Sequence, residues 1–371
     1  MSDPVVERSD PSITRQITRM NDGRWALIMG NGYNSSSEKA VLLIQYLDQG
    51  KELLKITADN TGNNGNGLSA PRLVDLNGDK VPDVAYAGDL RGNLWKFDLS
   101  SATAGSWKVS LSGSPLYAAM DGAGTPARQP ITAAPIYLAH PNGGLMVVFG
   151  TGRTLSDADR SSTQTQTVYG VYDNTAINVK PGTTLGAVSL SASADAAVSD
   201  GRASLVQQTI GVSTVGTTTD PASAVYSVSS TPVDYGASPP KRGWYLDLPV
   251  PRERVTENLS WFDGDLIDIR SAIPAIGTDP NVETCDATTA AGQSYLTTVN
   301  AVNGNAPKSQ IYAYSAGDGG TTTGSRVQTG LDLRLRDNVK ERPYAAPGMQ
   351  KPPGRNLLGK VTLRPTWRQL Q

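Results

Sequence analysis

Apolar residues in this chain gather in runs of about five to eight, bounded by stretches rich in Gly, Asn, Asp, Ser and Pro. Runs of that length between turn residues predict short β-strands rather than helices. The runs also fall into groups. RWALIMG, AVLLIQYLD and ELLKITA form the first, and APRLVDL, DVAYAGD, GNLWKFDL and WKVSLS the second. ITAAPIYLA, LMVVFGTGR and QTVYGVYD make a third, and SLVQQTIGV, AVYSVSS and RGWYLDLP a fourth. The fifth runs through LSWFDGDLIDIRSAIPA, SYLTTVNAV and SQIYAYSA. Groups of roughly 40 to 60 residues, each burying its faces only against its neighbours, are what the blades of a β-propeller require. The expected fold is therefore all-β, an irregular propeller. A pair of β-sandwiches is the alternative, and it needs a linker near the middle, for which Asp173 to Gly201 is the one candidate. Strand spacing resumes after that stretch without a shift in composition, so it reads as an insertion between strands.

Composition agrees with this picture and narrows it. The chain has 371 residues, 38% hydrophobic, with 38 Gly and 24 Pro. That is enough for a sizeable core in one large or two ordinary domains. No run approaches the ~20 apolar residues of a membrane span. The opening MSDPVVERSDPSITRQ carries no apolar targeting segment, which fits either a cytoplasmic protein or a fragment of a longer exported chain. The single cysteine, Cys285, fits both. Net charge is −1, unevenly spread: from Arg326 onward ten Lys and Arg face three Asp and Glu, so this tail is +7 and the remainder −8. We accordingly divide the chain into a body, residues 1–325, and a basic tail, residues 326–371, expected to pack on the propeller or close it. No aromatic residues interleave with the basic ones in a stacking pattern, and nucleic acid is not an expected partner.

One stretch carries candidate chemistry. DLNGDKVPDVAY, residues 75–86, places oxygen-bearing side chains at alternating positions: Asp75, Asn77, Asp79 and Asp83, with Val81 supplying its backbone carbonyl at the missing odd position. Alternate residues of a tightly curved loop can turn their oxygens to one centre. Three carboxylates, an amide and a carbonyl suit a hard cation, and Ca2+ is the expected ion. Asp, Asn and Gly are also ordinary turn residues, but here the fourth side-chain ligand falls at the ninth position and two apolar runs flank the loop. The loop is not of the helix-loop-helix kind: its fourth position is Gly78, its sixth Lys80, and its twelfth Tyr86 rather than Glu. It is expected between two strands.

Other chemistry is sparse. The single histidine, His140 in LAHPNGG, is expected in a solvent-exposed turn, and Asp263 and Asp265 in WFDGDLID in a hairpin turn. No nucleophile, base and orienting group form a recognisable set.

Taken in order, DLNGDKVPDVAYAGDLRGNLWKFDL, VVFGTGR, QTVYGVYD, SLVQQTI, RGWYLDLP and the closing PTWRQL cover most of the chain. This set resembles the C-terminal domain of the PilC/PilY family of type IV pilus biogenesis factors and tip-associated adhesins. The resemblance implies a modified propeller of about seven blades with one calcium loop, carried onto Asp75, Asn77, Asp79, Val81 and Asp83. It implies no enzymatic activity, but a role in balancing pilus extension against retraction, in surface attachment and in twitching motility. The implied partners are minor pilins, the pilus assembly machinery, and host or abiotic surfaces. The implied location is exported, at the cell surface, outer membrane or pilus tip, with an adhesive region N-terminal to this chain. Two departures stand out: Lys80 occupies the loop position that usually carries Gly, and PVPRERV follows RGWYLDL where a Gly is expected before the Glu-Arg pair. No RGD tripeptide occurs. Two further readings remain, a calcium-stabilised secreted propeller that binds a protein or glycan unrelated to pili, and a quinoprotein dehydrogenase, whose repeated strand motif GNLWKFDL resembles.

Overall fold

The computed structural model describes residues 5, 16–59, 65–182, 185–191, 197–212, 225–275, 292–308, 311–315, 321–329 and 354–355. Strands β1 (Ile17–Arg19), β2 (Trp25–Gly30), β3 (Val41–Tyr46) and β4 (Leu53–Thr57) form an antiparallel four-stranded meander. The second sheet runs β5 (Arg72–Val74), β6 (Val84–Gly88), β7 (Asn93–Asp98) and β8 (Lys108–Val109), with β9 (Tyr117–Ala118) paired to β7. After β10 (Ile136–Ala139), β11 (Leu145–Gly150), the short helix α1 (Asp157–Ser161) and β12 (Thr167–Asp173), a separate hairpin follows, β13 (Ala176–Val179) with β14 (Val188–Ser191). The chain continues through β15 (Val206–Gln208), β16 (Ile210–Val212), β17 (Val225–Val228) and β18 (Gly243–Asp247). The last strands are β19 (Ser260–Asp263), β20 (Leu266–Ile273), β21 (Gln293–Asn300), β22 (Tyr312–Ser315), β23 (Thr321–Gly324), β24 (Arg326–Thr329) and β25 (Gly354–Arg355).

The first three groups of apolar runs fold as separate sheets. The fourth does not. RGWYLDLP contributes β18, which pairs with β12, and β15 joins β18 in parallel, giving a third sheet ordered β10-β11-β12-β18-β15. Beyond Thr209 the chain crosses into a six-stranded sheet ordered β16-β17-β24-β21-β20-β19. The reason is local fit: a Cβ on Gly170 of β12 would lie 2.2 Å from Nε1 of Trp244, so only glycine leaves room for that indole beside β12. Trp244 is fully buried there and donates from Nε1 to the Ala301 carbonyl at 3.0 Å.

The sheets stack face to face in chain order, and alternation of side chains about each strand explains how. All five residues of β6 are buried. Ala85 and Ala87 point to a core shared with the first sheet, through Ile28, Leu42 and Ile44, whereas Val84 and Tyr86 point to the core shared with the third. β11 divides likewise, Val147 and Phe149 to one side, Met146 and Val148 to the other. A strand covered on both faces reads as a continuous apolar run, which is how DVAYAG and LMVVFG read in the sequence. Four sheets of four to six strands are thus joined by three successive cores, with β22, β23 and β25 forming a small sheet after them.

The candidate mid-chain linker is part of this body: its β13–β14 hairpin is tied to the first sheet by the Gly186 N–H, which donates to Asn21 Oδ1 at 2.8 Å. At the far end Arg326 is fully buried in β24 and makes a two-pronged pair with Glu253, Nη1 to Oε1 at 2.8 Å and Nη2 to Oε2 at 2.9 Å. The body-tail boundary falls at the start of this strand. Beyond Thr329, only β25 of the tail and its pairing to β22 lie within the described residues.

Candidate metal centre

The loop of residues 75–83 connects β5 to β6, whose register sets Val74 opposite Val84. Its base is closed by the Asp83 N–H, which donates to the Val74 carbonyl at 2.8 Å. Asp75 curves the loop: its carboxylate accepts from the backbone N–H of Asn77 at 3.2 Å, Gly78 at 2.7 Å and Lys80 at 2.7 Å. Asn77 Oδ1 accepts from the Asp79 N–H at 3.1 Å, and Asp79 Oδ1 from the Val81 N–H at 2.8 Å. Asp79 Oδ2 also accepts from Asn77 Nδ2 at 3.1 Å. Each odd-numbered side chain therefore folds back over the next two or more residues, the same curvature that alternate ligands need. Two positions adopt left-handed backbone: Gly78 at φ +83° and Lys80 at φ +67°. Glycine adopts this without steric strain, and lysine does not. The substitution of Lys for Gly at the sixth position is accommodated by a strained residue, not by a different turn.

Asp83 is the deep member, 1% exposed. Its Oδ2 accepts from the Leu76 N–H at 2.9 Å and its Oδ1 from Asn21 Nδ2 at 3.3 Å. Burial pushes its pKa up to about 6, against the stabilising Leu76 and Asn21 hydrogen bonds, and the charges of Asp79 and Asp75 push the same way. The charges of Asp75 and Asp79 thus both bear on Asp83. Among the described residues no three acidic, histidine or cysteine side chains converge into a ready-made cage. What fits Ca2+ is the donor chemistry, all oxygen with three carboxylates, and the curvature that places them on one loop.

Asn21 was not evident as part of this region from the sequence. It lies in the β1–β2 turn, 1% exposed, and its Nδ2 donates to the carbonyls of Pro82 at 3.1 Å and Leu99 at 3.0 Å as well as to Asp83. It clips the first sheet to the base of the loop. MNDG in the sequence signals a turn and nothing more.

The remaining candidates resolve differently. Asp263 and Asp265 flank the β19–β20 hairpin as expected, with Gly264 at φ +56° and Asn300 Nδ2 bonded to Asp265. His140 does sit at a turn, but the expectation of solvent exposure is wrong. It is 5% exposed, stacked on Tyr172 at 3.8 Å and met edge-on by Tyr235 at 4.4 Å, and burial lowers its pKa. Cys285 lies outside the described residues. No helix among the described residues is long and apolar enough to cross a membrane.

Small sheets stacked in chain order, with an acidic loop between two strands of the second, define a β-propeller protein bearing a candidate cation loop. A family model described as the PilY1 beta-propeller domain matches residues 9–194, and the chain belongs to that family. It is similar to the type IV pilus biogenesis factor PilY1 of Pseudomonas aeruginosa strain PAO1, 38% identical over 272 residues, covering 67% of this chain and 22% of that protein. A PilY1 homolog of Xylella fastidiosa is 29% identical over 348 residues, covering 88% of this chain and 21% of the homolog. The chain thus spans about a fifth of the length of these curated relatives. The crystal structure of the Pseudomonas aeruginosa PilY1 C-terminal domain superposes with a TM-score of 0.63 at 29% identity, covering 86% of this chain and 67% of that one.

Proposed function

We propose that the chain is a calcium-binding, non-enzymatic propeller domain that acts in type IV pilus biogenesis, biasing extension against retraction and supporting surface attachment and twitching. The observation that carries the calcium reading is Asp83: a buried carboxylate pressed by Asp75 and Asp79, at the base of a loop whose oxygens alternate in sequence. Asp75, Asn77, Asp79, the Val81 carbonyl and Asp83 would hold the ion. When bound, calcium supplies positive charge against three carboxylates in a loop that otherwise contains only the ammonium of Lys80.

The chain's own residues do the rest. Asp75 gathers three backbone N–H groups and sets the loop's curvature, Asp83 anchors it, and Asn21 couples it to the first sheet. A change of charge in the loop therefore bears on two neighbouring sheets, and a partner contacting that edge would meet a different surface in each state. Minor pilins and the pilus assembly machinery are the partners this reading assigns, with host or abiotic surfaces as attachment targets, at an exported location on the cell surface or pilus tip. The names of the relatives as pilus biogenesis factors support the pilus role and favour a non-enzymatic domain. The basic segment beyond Arg326 packs on or closes the propeller in this reading, supported by the burial of Arg326 and the β22–β25 pairing.

The test compares an Asp79→Ala strain with its parent at matched protein abundance. Calorimetric calcium uptake should fall, and piliation, twitching or attachment should change. If uptake falls while all three behaviours stay indistinguishable, calcium is structural only. If uptake is unchanged, the loop is not the site.

A further inference from the structure

A cleft of about 320 Å³ opens where turns of several sheets meet, and its wall carries four guanidinium groups. Arg91 comes from the β6–β7 turn, Arg128 from the segment before β10, Arg153 from the chain after β11, and Arg254 from the chain between β18 and β19. Against these four cations the wall holds one carboxylate, Asp159. That carboxylate is already engaged, accepting Arg153 Nε at 2.6 Å and the backbone N–H groups of Leu155 and Ser156 at 3.0 Å each. Asp89, behind the Arg91 turn, is fully buried, and its oxygens accept from Asn66, Asn93 and Trp95 side chains and from the N–H of Arg91 and Asn93. Asp121 accepts from Gln164 Nε2 at 2.9 Å.

Arg254 is the residue that asks for a ligand. It is 3% exposed, yet every acceptor it meets is a neutral carbonyl: Arg252 from Nε at 2.9 Å, Arg153 from Nη1 at 2.8 Å together with Asp159, and Ser162 from Nη2 at 2.9 Å. Carbonyls orient a guanidinium but do not cancel its charge. Burial accordingly lowers the Arg254 pKa, with Asp159 acting against that and Arg252 adding to it. Arg128 is held by Asn93 Oδ1 at 2.8 Å, and neither Arg91 nor Arg128 makes an ion pair among the described residues. A cleft with surplus, pre-oriented positive charge is stabilised by any anion that enters it.

We propose that this cleft is an anion site that receives the carboxylate side chains of an acidic peptide segment from a partner protein. Guanidinium forks match carboxylates two bonds at a time. Leu90 and Pro130 are the apolar members of the wall, which holds no aromatic ring, so a nucleobase has nothing to stack on. The volume is at the low end for small-molecule sites and accommodates two or three acidic side chains. The inference stands apart from the calcium reading, because the loop of residues 75–83 contributes nothing to this wall.

Isothermal titration calorimetry with a hexaglutamate peptide tests it, with a hexaglutamine peptide and inorganic pyrophosphate as comparisons. Hexaglutamate should bind, weakening as salt rises, and hexaglutamine should not. Arg91→Glu and Arg128→Glu should each weaken binding about tenfold or more, the scale of one charge-assisted contact. Arg160→Glu, on α1 outside the wall, should leave it unchanged, and melting temperatures of the three variants should match the parent. Binding that survives both reversals in the cleft, or falls equally with Arg160→Glu, overturns the site. Pyrophosphate binding without hexaglutamate binding overturns the peptide assignment in favour of a phosphate ligand.

Discussion

Replacing Asp83 by asparagine should make the calcium-free protein more stable at neutral pH while weakening calcium uptake. The aspartate is 1% exposed and its pKa is raised from 3.8 to about 6, chiefly by burial. A raised carboxyl pKa means that the folded state prefers the protonated form. Stability from this group is complete below the unfolded value near 4 and is lost as pH rises through about 6. The difference between those two values corresponds to about 3 kcal/mol at pH 7 and above. Asparagine is neutral throughout, so it escapes that loss. It keeps an oxygen for the Leu76 N–H and forfeits the weaker 3.3 Å contact from Asn21, at a cost of about 1 kcal/mol. The net gain is about 2 kcal/mol, roughly 3 °C in melting temperature for a chain of this length. The assay is thermal melting of parent and Asp83→Asn in excess chelator, from pH 4.5 to 8. The stability difference should grow with pH through about 6 and then level off. A difference that stays flat across this range refutes the reasoning, because the carboxylate then ionises in the folded state as easily as in the unfolded one.

Lys80→Gly removes a left-handed lysine, worth about 1 kcal/mol or more, against a backbone-entropy cost of similar size, so melting should change little. Calcium affinity measured by calorimetry should rise, since a positive charge leaves the loop. Glu253→Gln strips a fully buried guanidinium, Arg326, of its counter-charge and should cost about 3–5 kcal/mol in chemical denaturation, with Arg326→Met added to it restoring much of the loss. Purified protein should show no visible absorbance from a stoichiometric redox cofactor, and such absorbance would revive the quinoprotein reading.

The sequence made some of this legible and hid the rest for physical reasons. β6 and β11 are visible because strands buried on both faces are apolar at every position, and the loop is visible because its oxygen-bearing side chains are separated by a fixed spacing on one continuous segment. Pairing of β18 with β12 depends on Trp244 meeting Gly170, a contact between distant segments that no local pattern announces. His140 reads as a surface turn because the rings that cover it, Tyr172 and Tyr235, arrive from elsewhere in the chain. Asn21 escaped for the same reason. The cost of Lys80, by contrast, was readable from a single departure in the motif, and the backbone carries it as a positive φ.

The position of β24 bears on the order in which the protein is made. β24 lies between β17 and β21, so the pair β16–β17 reaches the rest of its six-stranded sheet only through residues 326–329. A chain that emerges N-terminus first must hold β17 and β21 with unpaired edges, and Glu253 without its guanidinium, until residues 326–329 have appeared. Open strand edges invite pairing with other chains. The sheet is therefore a checkpoint on synthesis: a product that stops short of Arg326 presents its faults on the outside, where proteases and chaperones find them, and one that includes β24 seals them with a single late strand.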